Sequence, residues 1–113
     1  MDKVYLRSLF VQEKDFLKKL YDGQGNALTF ASDKSLNTLI KILHLIAEGH
    51  IPMRKQDEAE IKTAKKFNSL NKFASKTFFA QITKTGTRET KLKELKQFLK
   101  LYPLLLHTFF NEI

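Results

Sequence analysis

The sequence predicts an all-α protein, a compact domain of four to five helices. Three observations carry that expectation. Gly and Pro number only four and two, too few turn residues for a typical β fold, while Leu and Lys abound. Apolar residues recur at helical spacing rather than in alternation. The 113 residues suit a single domain, 1–113, able to bury a core without staples.

The elements follow in order. Val4, Leu6, Leu9 and Phe10, then Phe16, Leu17, Leu20 and Tyr21, have helical spacing with a slip near Ser8–Val11. This predicts two short helices, or one kinked helix, over about 3–21. The stretch DGQGN at Asp22–Asn26 ends it, since glycine relieves the cost of positive φ in a turn. Ser32 or Asp33 then caps a helix in which Leu36, Leu39, Ile40, Leu43 and Ile46 form an apolar stripe, widened by Ile42 and Leu45. That helix reads as buried on most sides. Gly49 and Pro52 close it.

A third helix is expected over about 56–79, with Asp57, Glu58 and Glu60 in its first turns, where the macrodipole favours carboxylates. TKTGT at Thr83–Thr87 reads as a loop. A fourth helix, about 88–102, places Leu92, Leu95, Phe98, Leu99 and Tyr102 on one face. Pro103 ends or kinks it.

Charge is spread unevenly. Residues 1–53 are near neutral, with seven Lys and Arg against six Asp and Glu; residues 54–113 carry thirteen against six. An asymmetry of this size points to an anionic partner for the second half. The basic half opens with EIKTAKKFNSLNKFASKTFF, Glu60–Phe79. On an ideal wheel of roughly 100° per residue, Lys62, Lys65, Lys66, Lys72 and Lys76 share an arc of about 120°. Phe73 falls inside that arc, where it is expected to be exposed and able to stack on a base or wedge into a groove. The next helix adds Lys91, Lys93, Lys96 and Lys100, and no acid stands between Glu60 and Glu89. Ammonium groups along one face approach phosphates and release counterions, giving salt-sensitive, sequence-tolerant binding. With only Arg7, Arg54 and Arg88, bidentate guanine reading is not the expected mode. The reading is a non-enzymatic nucleic-acid-binding protein, with double-stranded DNA as the expected partner; a merely solvated basic face is the alternative.

Other chemistry finds little footing. No cysteine is present, which removes disulfides, thiol nucleophiles and cysteine-based zinc sites and fits a reducing, intracellular compartment. His44, His50 and His107 lack metal-ligand spacing, so no metal or other cofactor is expected. His44 reads as a core-edge histidine with a hydrogen-bond partner. Gly23-Gln24-Gly25 falls short of a phosphate-binding fingerprint, and no local base activates any Ser or Thr, so no catalytic residue is assigned. The N-terminus is charged from its second residue and lacks the apolar run of a signal peptide. LYPLLL at Leu101–Leu106 is too short to span a bilayer. A basic amphipathic helix can lie on a membrane surface, but the apolar positions here are needed for the core.

The tail PLLLHTFFNEI is apolar all round a short helix. It either plugs the core or offers an interface, with Leu105, Phe109 and Phe110 as its residues, to a second copy or another protein. That is the second functional reading, a structural or protein-interaction module.

The arrangement LRSLF…FLKKL…ASDKSLNTLIKILHLIAEGHIPMRK…IKTAKKFNSLNKFASK, Leu6 to Lys76, resembles the family of small basic proteins encoded in Maverick/polinton-type mobile elements and related adintovirus-like viruses. Leu36, Leu39, Ile40, Leu43 and the turn Gly49-His50-Ile51-Pro52-Met53 carry the resemblance. KLKELKQFLKLYPLLL stands where the family has a tail containing Gly-Gly, so the resemblance stops short of the C-terminus. It implies a double-stranded DNA element as the setting, a DNA- or virion-associated role, viral protein partners, and the nucleus or virion as location.

Overall fold

The computed structural model describes residues 3–21, 27–48 and 71–101. Every regular element among them is helical: α1 Lys3–Gln12, α2 Lys14–Tyr21, α3 Asp33–Ala47, α4 Asn71–Ala74, α5 Lys76–Lys84 and α6 Arg88–Leu101. The all-α expectation holds for these residues. Helix α3 is the hub, with α1, α4, α5 and α6 packed against it. The Cα radius of gyration is 12.9 Å, close to the ~13 Å of a folded chain of about 100 residues.

The first unit is two helices meeting at Glu13, and the break falls there instead of at Ser8–Val11. Hydrogen bonding runs across it, from Glu13 N to the Leu9 carbonyl and from Leu17 N to the Glu13 carbonyl. Leu9, Phe10 and Leu17 are buried, with Phe16 and Leu20 packed against the core. Glu13 lies on that same inward face and is itself buried. A carboxylate there needs a donor, and Ser35 Oγ supplies one to Oε2 at 2.6 Å. Polar pairing therefore joins the α1–α2 corner to the start of α3.

Ser32 is the cap of α3: its Oγ accepts from Ser35 N at 3.1 Å, satisfying an amide the helix leaves open. Leu36, Leu39, Ile40, Ile42 and Leu43 are then essentially sealed from solvent, as the widened stripe predicts. At about 1.5–3 kcal/mol for each fully buried large aliphatic side chain, α3 is the largest apolar contributor. The preceding turn, 27–30, buries Leu28, and Ala31 N closes on the Leu28 carbonyl at 3.2 Å.

The expected helix over 56–79 is described only from residue 71, and it is interrupted. Ser75 has extended backbone (φ −70°, ψ 121°) and its Oγ accepts from Phe78 N, so it ends α4 and caps α5. The restarted helix runs on to Lys84, which shortens the expected 83–87 loop to Thr85–Thr87. Thr85 N and Gly86 N both donate to the Gln81 carbonyl. A Cβ on Gly86 would fall inside contact distance of the Ile82 carbonyl, so only glycine fits this return. Helix α6 then begins at Arg88, as expected, and buries Leu95 and Phe98.

Arg88 fastens the start of α6 to the turn that precedes α3. Its guanidinium donates to Asp33 Oδ1 at 3.3 Å and to the Thr29 carbonyl. The start of α6 is thus tied to the cap region of α3, 55 residues away in sequence.

Candidate nucleic-acid interface

Helix α6 sorts its cations by angle. Taking roughly 100° per residue, Lys93, Lys96 and Lys100 share an arc of about 60°, and all three are exposed. Glu89 lies on the same stripe at the N-terminal end, where the helix dipole favours a carboxylate. Lys91 points the other way, between Leu95 and Phe98 on the wheel, and is only 6% exposed. The expectation that Lys91 joins the binding face is therefore corrected. A lysine's four-carbon stem buries readily along apolar surface, and the i+4 and i+7 neighbours of Lys91 are both core residues.

The expectation for Phe73 is corrected too. It is 1% exposed, with its ring edge-on to Phe78 at 5.6 Å and to Phe98 at 5.5 Å. A ring sealed in this way cannot stack on a base. The wheel assumed one continuous helix, but the break at Ser75 separates Phe73 from Lys76, and Phe73 turns inward while Lys72 and Lys76 stay exposed. Burying the ring outweighs the neatness of the basic arc. Among the described residues the exposed aromatic is Phe30, 81% exposed beside the Thr29 carbonyl that Arg88 holds.

Phe73 and its neighbour also bring the basic segments side by side. Lys72 Nζ lies 3.3 Å from Glu94 Oε2 on α6, while Phe73 meets Phe98 one turn further on. The ion pair neutralises part of Lys72, an effect that sequence spacing along one helix could not reveal. Lys62, Lys65 and Lys66 lie outside the described residues, as do Leu105, Phe109 and Phe110.

His44 is occupied structurally. One ring nitrogen, Nδ1, donates to the Phe73 carbonyl, Nε2 lies 2.9 Å from Glu48 Oε1, and the ring stacks on Phe79 at 4.5 Å. It is the buried, partnered histidine expected from its place on α3. Among the described residues no cluster of three or more His, Cys, Asp or Glu could hold a metal ion, and no helix is long and apolar enough to cross a membrane.

Two features escape a search for apolar periodicity. One is the Arg88 clamp, whose partners are remote in sequence. The other is a groove between α1 and α3. Its signal is a polar stripe at i, i+3, i+4, i+7 on α3, formed by Lys34, Asn37, Thr38 and Lys41.

No family model, curated protein or solved structure matches the chain.

Proposed function

We propose that this protein is a non-enzymatic nucleic-acid-binding protein that contacts duplex DNA with little sequence preference. The observation that carries the reading is the exposed stripe Lys93, Lys96 and Lys100 on α6, with Lys72 and Lys76 exposed nearby in the chain's other basic segment. The stripe runs over seven residue steps, about 10 Å of helix axis, enough for three ammonium groups to meet successive phosphates. The side-chain chemistry agrees. Lysine is a flexible point charge suited to backbone contact, and the Arg88 guanidinium is already engaged by Asp33 and Thr29. In the mobile-element setting that the family resemblance implies, such a protein would coat or organise the element's DNA in the nucleus or virion.

The test is anisotropy titration against unrelated duplexes at several salt concentrations. Three phosphate contacts contribute about 2.7 to the slope of log K against log salt. Lys93→Gln/Lys96→Gln/Lys100→Gln is expected to lower the slope by about that amount. Absence of binding at low salt, or a triple variant with an unchanged slope, would sink the reading.

A further inference from the structure

Among the described residues Phe30 is the large aromatic left in solvent, 81% exposed. A slack chain does not account for it, because its turn is pinned on both sides. Leu28 and Ala31 are buried, and Ala31 N closes on the Leu28 carbonyl at 3.2 Å. The Thr29 carbonyl between them accepts from the Arg88 guanidinium. With Leu28 and Ala31 in the inward positions, the ring is held outward on a fixed mount. That mount stands at the end of α6 from which the stripe Lys93, Lys96 and Lys100 runs. Lys93 follows Arg88 by five residues, about 7.5 Å along the helix axis.

The surroundings of the ring narrow the partner it fits. Its exposed neighbours in the chain, Thr29, Ser32, Asp33 and Lys34, are polar, and the Asp33 charge is answered by Arg88. Among the described residues the other exposed large hydrophobic is Val11, on α1. Protein and membrane partners are met by contiguous apolar patches of several hundred Å², which isolated side chains do not provide. A nucleobase asks for less: one π-face of matching size, with cations at hand for the phosphates of its strand.

We propose that Phe30 stacks on an unpaired base, so that the protein holds single strands and bulged duplexes through the ring as well as through its lysines. The inference rests on the lysine-stripe reading for the phosphate contacts and adds one that a closed duplex cannot make, since there each base face is covered by the next base pair. Stacking accepts any base, in keeping with the sequence-tolerant contacts of lysine.

The chain has no tryptophan, so Phe30→Trp places a single indole at the site and keeps an aromatic face. Its emission is followed during titration with oligo-dT, with a duplex whose ends are sealed by ethylene-glycol linkers, and with the same duplex carrying a one-nucleotide bulge. Oligo-dT and the bulged duplex are expected to quench the indole saturably; the sealed duplex is expected to bind without quenching it. In parallel anisotropy titrations, Phe30→Ala and Phe30→Leu should each weaken binding of oligo-dT and the bulged duplex at least about fivefold, the lower end of one base–aromatic stack. Sealed-duplex affinity should stay at the wild-type value, since neither variant touches the stripe. An unquenched indole, a Phe30→Leu protein that binds the bulged duplex as tightly as the wild type, or an emission shift with protein concentration alone, marking a second copy over the ring, would each overturn the proposal. Sealed-duplex binding that persists in those cases leaves the stripe reading standing; absence of binding to all three DNAs overturns both.

Discussion

Truncating Phe73 to alanine removes a fully buried ring from the junction of α3, α4, α5 and α6. The side chain is 1% exposed and makes edge-on contacts with both Phe78 and Phe98. Phe→Ala changes in cores cost about 3–5 kcal/mol, combining lost transfer free energy with the cavity left behind. Within that sum, each aromatic pair accounts for about 0.5–1.5 kcal/mol. A chain of this length has a total stability of roughly 6–17 kcal/mol, so a large share would go. Urea denaturation followed by far-UV circular dichroism should show the midpoint falling by about 1.5–2.5 M at an m-value of ~2 kcal/mol/M. Phe73→Leu keeps part of the volume but loses both aromatic pairs, so it should cost less than Phe73→Ala while leaving nucleic-acid affinity unchanged. A Phe73→Ala protein with an unchanged midpoint but weakened DNA binding would put the ring at the surface and refute the burial argument.

Ser75→Ala removes the side-chain acceptor for Phe78 N and should destabilise the protein by about 0.5–2 kcal/mol, read as a lower urea midpoint. Ser35→Ala leaves the buried Glu13 carboxylate without the 2.6 Å donor; the expected loss is about 1–3 kcal/mol, and Ser35→Thr, which keeps a hydroxyl, should recover part of it. Lys91→Gln is expected to leave the salt dependence of DNA binding unchanged, whereas Lys93→Gln should lower the slope by about 0.9; equal effects from the two would mean that both side chains reach phosphate.

The helices were legible where one residue pattern had one cause. Along α3, Leu36, Leu39, Ile40 and Leu43 all face the core, so period and burial coincide. The start of α6 was legible for the same reason. The break at Ser75 was not, because the residues around it suit a continuous helix and only the side-chain acceptance from Phe78 N distinguishes a cap from a mid-helix serine. Glu13 is similar: a carboxylate at an inward position looks like a disruption of the stripe until Ser35, 22 residues on, is brought to it. At the candidate site, one-dimensional spacing placed Lys93, Lys96 and Lys100 correctly relative to one another. The same spacing sets Lys91 between Leu95 and Phe98 on the apolar side of α6, a signal hidden when the lysines are grouped by charge alone. For Phe73 the wheel supplied an angle, but the choice between a basic arc and a buried ring is made by the partners, Phe78 and Phe98.

Charge counted along a chain is therefore not charge available to a ligand. Helix α6 carries five cationic residues, Arg88, Lys91, Lys93, Lys96 and Lys100. Arg88 is bound to Asp33 and the Thr29 carbonyl, and Lys91 is buried, which leaves three. Five phosphate contacts would give a salt slope of about 4.5, three about 2.7, a difference that titration resolves. Lys72 loses part of its charge to Glu94, but an exposed pair of this kind is worth only about 0–1 kcal/mol. Under the proposed function a nearby phosphate draws the ammonium away at small cost, so the pair with Glu94 weakens the face without cancelling it. Arg88 fastens the fold through Asp33 and Thr29 while Lys91 fills it, and that fixed scaffold is what keeps the remaining three in one line.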